Sequence, residues 1–132
     1  MRIDFFKLTA LYIGAILVLA SCGGLQQQVT TGGGGGEKSI AMEADSFKFT
    51  PNNIKAYEGD VLVLSINNVS GSTHNFAIKD PDGQILQSVD LPAKQIVEIR
   101  IKLLKPGEYL FYCDKPMHSP LGMKGRIETL KK

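Results

Sequence analysis

The sequence predicts an all-β domain, a sandwich of seven or eight short strands. Three observations carry that prediction. Apolar and polar residues alternate with a period of two over several short runs, turn signals separate those runs at regular intervals, and no long stretch shows the 3.6-residue period of a helix. The chain has 132 residues, enough for one domain and little more.

The elements follow in order from Ser39. Ser39-Ile40-Ala41-Met42-Glu43-Ala44-Asp45 alternates, as a half-buried strand does. Val61-Leu62-Val63-Leu64-Ser65-Ile66 is apolar on both faces, which suits a strand inside a sandwich. Ile99, Ile101 and Leu103 alternate with Glu98, Arg100 and Lys102. Tyr109 to Cys113 and Gly125 to Leu130 complete the set. Between them lie Glu58-Gly59-Asp60, Asn67-Asn68, Asp80-Pro81-Asp82-Gly83 and Lys105-Pro106-Gly107, each a turn-forming group. Gln84 to Lys94 carries the weakest strand signal and leaves room for a short helical turn. The regular spacing of short strands argues for a β-sandwich or barrel over residues 39–132.

The N-terminal part reads differently. Arg2 and Lys7 make a basic start, and Leu8 to Ala20 is an apolar run of 13 residues. A membrane span needs ~20 apolar residues, so this run suits the core of an export signal over residues 1–21. It ends in Leu19-Ala20-Ser21-Cys22, which resembles the lipobox of bacterial lipoproteins and implies lipidation at Cys22. Two acyl chains there would give a stable membrane anchor. Residues 22–38 then read as a flexible linker. Its five consecutive glycines cannot offset their ordering entropy, and a linker of that length reaches ~20–25 Å. These features place the domain outside the cytoplasm, tethered to a membrane on its periplasmic face or at the cell surface.

Composition narrows the function classes. The net charge is +2, with basic and acidic residues interleaved, so there is no nucleic-acid footprint. The chain holds two histidines and two cysteines. With Cys22 committed to the anchor, Cys113 is left as a free thiol, and no disulfide is expected. His118 lies five residues after Cys113, and Met123 five after His118. One loop between two strands can therefore gather a thiolate, an imidazole and a thioether, and His74 opens a separate strand after the polar run Ser70-Gly71-Ser72-Thr73. Soft sulfur donors combined with two imidazoles select copper among the common metals. Zinc favours four strong ligands, and iron–sulfur clusters need more cysteine. Taken singly, a buried Met, Cys or His is more often core than ligand; together, every histidine and the remaining cysteine fall where a sandwich can bring them together.

The chain here resembles the cupredoxin (type 1 blue copper) family. Phe49-Thr50-Pro51 through Gly59-Asp60-Val61 is similar to the family's opening strands. Thr73-His74-Asn75-Phe76 is similar to its first-ligand strand, and Tyr112-Cys113…His118…Met123-x-Gly125 to its copper loop. The Cys-x4-His-x4-Met spacing resembles that of the auracyanins and rusticyanins. The resemblance spans residues 39–130 and implies an eight-stranded Greek-key sandwich. In it His74, Cys113 and His118 are equatorial ligands of one copper ion and Met123 is the axial one. Asn75 is implied to tie the two ligand segments together by a hydrogen bond. Pro116-Met117-His118 stands where the family often has Pro-Gly-His, which also makes Met117 the alternative thioether.

The function implied is one-electron transfer between redox partner proteins, such as a cytochrome or another copper protein, by a monomer. Pro116, Met117, Pro120 and Leu121 form the candidate docking patch around His118. A copper carrier, storage or resistance protein is the alternative, and a metal-free adhesive sandwich a further one. Catalysis is not expected: the loop has one cysteine where a two-copper oxidase centre needs two, no histidines remain for a multicopper cluster, and no nucleophile–base pair is visible.

Overall fold

The computed structural model describes residues 28–33 and 35–132. The leader and the lipidation site at Cys22 lie outside the described residues. Among the described residues ten strands form two sheets and there is no helix. In chain order they are β1 (Gln28–Thr30), β2 (Gly36–Asp45), β3 (Lys48–Thr50), β4 (Asn53–Tyr57), β5 (Asp60–Asn68), β6 (His74–Lys79), β7 (Ile85–Leu91), β8 (Ile96–Lys102), β9 (Gly107–Tyr112) and β10 (Lys124–Leu130). One sheet has the order β1-β4-β10-β9-β6-β7 and the other β3-β2-β5-β8. Most neighbours are not consecutive in sequence, because the chain repeatedly crosses from one sheet to the other.

The patterns read from the sequence decide which faces meet. On β8, Ile99 and Ile101 are buried while Glu98, Arg100 and Lys102 are exposed. The middle of β5 is buried at Leu62, Val63 and Leu64, and the strand lies inside its sheet between β2 and β8. Between the sheets Phe49 meets Phe76 and Phe111 edge-on at 5.7 and 5.6 Å, and Phe76 stacks on Phe111 at 5.3 Å. These aromatic pairs bring ~0.5–1.5 kcal/mol each beyond their buried area. Tyr109 is sealed as well, and its hydroxyl donates to the Lys105 carbonyl at 3.2 Å.

Three boundaries differ from the sequence expectation. The strand count is higher because the three-residue strands β1 and β3 each add an edge. The stretch after Gln84 is a strand, β7, with no helical turn; its exposed Ile85 and Leu86 blur the alternation. The third difference concerns the linker. Gln28–Thr30 pairs in parallel with Asn53–Lys55, Val29 packs against the core, and β2 begins at Gly36.

Asp60 explains why this glycine-rich stretch is held. Its carboxylate is fully buried and accepts hydrogen bonds from the Gly35 amide at 2.8 Å, the Tyr57 amide at 3.1 Å and the Thr31 hydroxyl at 3.2 Å. Charge-assisted bonds of this kind contribute ~1.5–3 kcal/mol each. Among the described residues β structure is thus already present at Gln28–Thr30, ahead of the expected boundary at residue 39.

Candidate metal centre

The centre sits at one end of the sandwich, where β5, β6 and β9 finish or begin. Strand β9 ends at Tyr112 and delivers Cys113, fully buried, at the foot of a loop that returns to β10 through Met123. The loop is closed by its own backbone. The Cys113 amide donates to the Met123 carbonyl at 3.0 Å and the Met123 amide to the His118 carbonyl at 2.9 Å. Inside it, His118 N–H reaches Lys115 O, Leu121 N–H reaches Met117 O, and Gly122 N–H reaches Ser119 O. At its exit Gly125 is required by close approach: a Cβ there would lie 2.4 Å from both the Asn52 carbonyl oxygen and the Phe111 ring.

Strand β6 supplies the other side. His74 is its first residue, with 2% of its surface exposed. Its Nδ1 lies 3.1 Å from Nδ1 of His118, and Cys113 Sγ lies 3.4 Å from the same His118 nitrogen. The three donor atoms of His74, Cys113 and His118 all fall within 4.8 Å of one another. Two donors each about 2 Å from a common ion lie roughly 3–3.5 Å apart, so this spacing fits one shared metal. Met123 is fully buried at the base of the same loop. Met117, the alternative thioether, is 63% exposed at the rim.

Burial, and after it the like charge of His118, push the His74 imidazole below its ordinary value; Asp45 acts in the opposite direction. A neutral imidazole is the form that offers a lone pair to a metal.

Asn75 meets the other ligand segment through its backbone and not through its side chain. Its side-chain amide donates to Ser88 Oγ on β7 at 3.1 Å, leaving Oδ1 buried and unpartnered, so the side chain does not join the ligand segments. Its backbone amide does so, donating to Cys113 Sγ at 3.4 Å. The strand, being fixed by its ladder, is the natural place for that donor, whereas the side chain follows the pleat toward β7.

Two further contributors were not singled out from the sequence. Phe47, in the tight turn between β2 and β3, meets the half-buried His118 ring edge-on at 5.2 Å. Nothing in the sequence around Phe47 marks it. Ser70 lies 2.8 Å from His74 Nε2; the polar run before His74 was its only signal.

Residues 10–127 match the family model of the cupredoxin-like domain. The chain belongs to the cupredoxin-like family. The two-sheet fold is similar to that of solved structures. Na-dithionite-reduced auracyanin from Roseiflexus castenholzii superposes with a TM-score of 0.61 at 18% identity, covering 70% of this chain and 96% of that one. Auracyanin A, a blue copper protein from Chloroflexus aurantiacus, gives 0.59 at 17% identity over 71% and 99%. The metal-binding domain of the Streptococcus pneumoniae Cu(I)-exporting P-type ATPase, solved with Cu(I), gives 0.61 at 17% identity over 81% and 99%. No curated protein sequence gives a significant match. In this cupredoxin the His74–Cys113–His118 cluster fits a single type 1 copper ion: two imidazoles and one thiolate facing a common point are its equatorial donor set.

Proposed function

We propose that this cupredoxin is a membrane-anchored blue copper protein carrying single electrons between partners outside the cytoplasm. In this reading His74, Cys113 and His118 are the equatorial ligands, Met123 is the axial one, and Cys22 bears the lipid. The observation that carries it is the convergence of the His74, Cys113 and His118 donor atoms within 4.8 Å at the closed end of a sandwich.

Copper, when bound, supplies the one-electron couple. The chain's own residues do the rest. The Cys113–Met123 and Met123–His118 backbone bonds hold the loop in one shape, so its donors have little freedom to move. The Asn75 amide directed at Cys113 Sγ stabilises negative charge on the sulfur. His118 is half-buried while His74 and Cys113 are sealed, which makes its ring the way out toward a partner. Around it Pro116, Met117, Pro120 and Leu121 are all exposed, and Phe47 joins them at 41% exposure. A small apolar rim suits brief docking with a redox protein.

The same enclosure argues against copper storage or delivery, since a buried His74 and Cys113 disfavour fast exchange of the ion. The reading is of a carrier.

The test is a visible absorption spectrum of the protein loaded with Cu(II). The wild type should show an intense sulfur-to-copper band, and Cys113→Ser should abolish it. A colourless wild type would remove the proposal. The rim is checked separately. Leu121→Asp should leave the band intact and slow reduction by a partner about tenfold, and equal rates would exclude this face as the docking site.

A further inference from the structure

The polar groups behind His74 form a closed chain of hydrogen bonds, and its proton positions can be worked out. Asn68, the last residue of β5, is fully buried. Its Nδ2 donates to the Ser72 and Leu91 carbonyls, each at 2.8 Å. Turning the amide over would set its oxygen against two carbonyl oxygens, so Oδ1 must face Ser70. There it accepts the Ser70 amide at 3.0 Å and lies 2.7 Å from Ser70 Oγ.

Ser70 Oγ has three more neighbours: the Ser72 amide donates to it at 3.2 Å, the Ser72 carbonyl lies at 3.0 Å, and His74 Nε2 lies at 2.8 Å. The hydroxyl has a single proton. Were it aimed at His74, Oγ would stand 2.7 Å from the Asn68 oxygen and 3.0 Å from the Ser72 oxygen with no hydrogen between them. That arrangement is repulsive. The proton therefore lies on the side of the Asn68 and Ser72 oxygens, nearer the closer Asn68 Oδ1, and a lone pair of Ser70 accepts from His74. The imidazole carries its hydrogen on Nε2, and Nδ1 presents a bare lone pair to the point shared with His118 and Cys113.

We infer that Ser70, oriented by Asn68, is the positioning residue that fixes the His74 tautomer and ring angle for metal binding through Nδ1. The inference rests on the proposed copper centre for its purpose, though not for its geometry. An amide on a strand end, held by two carbonyls, sets a hydroxyl; the hydroxyl sets the ring. Partners behind a ligating histidine commonly govern metal affinity about 10- to 100-fold.

The experiment uses nitrogen NMR of the metal-free full chain, at a pH where the ring is neutral, followed by Cu(II) titration of the same samples. The wild type should show a protonated Nε2 and an unprotonated Nδ1 at His74. Ser70→Ala should give a mixture of tautomers and lower Cu(II) affinity about 10- to 100-fold, with the Cys113-dependent band shifted but present. Ser70→Thr keeps the hydroxyl and should restore both readings. A wild-type ring protonated on Nδ1 would overturn the inference without recourse to any variant. So would a Ser70→Ala protein with unchanged tautomer and unchanged affinity. A wild type that has the expected tautomer and stays colourless with Cu(II) supports the Ser70 relay while removing the electron-transfer proposal, so the two failures are distinguishable.

Discussion

Strand β5 ends in a buried polar side chain at both extremities, and the two behave differently. Asp60 opens the strand and Asn68 closes it, about 26 Å apart along an extended backbone. Asp60 only accepts: it gathers two amides and a hydroxyl from the N-terminal segment and the β4–β5 turn. Asn68 donates two bonds and accepts two, and so hands a direction on to Ser70 and His74. A group that only accepts can hold segments together. A group with both donors and acceptors can also dictate which way the next proton points. One end of the strand is therefore a matter of stability, the other a matter of chemistry.

The sharpest way to break this contrast is Asp60→Ala. It strands the Gly35 and Tyr57 amides, leaves the Thr31 hydroxyl only the Lys55 carbonyl, and should cost about 3 kcal/mol of folding free energy by chemical denaturation. The Cu(II) band of the folded fraction should not move. A shifted band would mean that the two ends communicate and that the division of labour is wrong.

A smaller effect concerns backbone strain. Near Asp60 the left-handed positions are glycines, Gly35 and Gly59, both with φ of 88°. Beside His118, where Gly122 also has a positive φ, two such positions are not glycine: Phe47 has φ of 60° and Met117 of 65°. Such strain costs roughly 1 kcal/mol or more per residue and gathers at functional sites. Met117→Gly should gain about 1 kcal/mol of stability and lose apolar docking surface. No gain would show that the position is relaxed.

The smallest effect is a pH dependence specific to the metal end. In the metal-free protein His74 titrates below its ordinary value of 6.5. As pH falls past 6.5 the unfolded chain takes up the proton first, so stability present in full above 6.5 is lost on acidification, down to the depressed folded value. Denaturant midpoints of the apoprotein should fall across that window. His74→Gln should flatten the profile, and an unaltered slope in that variant would assign the acid sensitivity elsewhere.

How much of this was legible in the sequence differs along the same strand. The sandwich could be read because burial imposes a period of two, plain at Ile99 and Ile101, and because Leu62 to Leu64 are apolar on both faces. The cluster could be read because soft donors are scarce, and Cys113 and His118 share one loop. Asn68 and Ser70 could not, because buried and solvated polar residues look alike until their neighbours are known. The strand at Gln28–Thr30 was masked by the glycines after it. Composition reports entropy cost, whereas the bonds that repay it come from Asp60, 25 residues beyond Gly35.

Cys113, finally, has no exposed surface at all. A sulfur so enclosed cannot meet its counterpart in a second molecule, and peroxide has no direct approach to it while the loop stays shut. The same walls that hold the donor atoms in place therefore also give the thiol chemical durability.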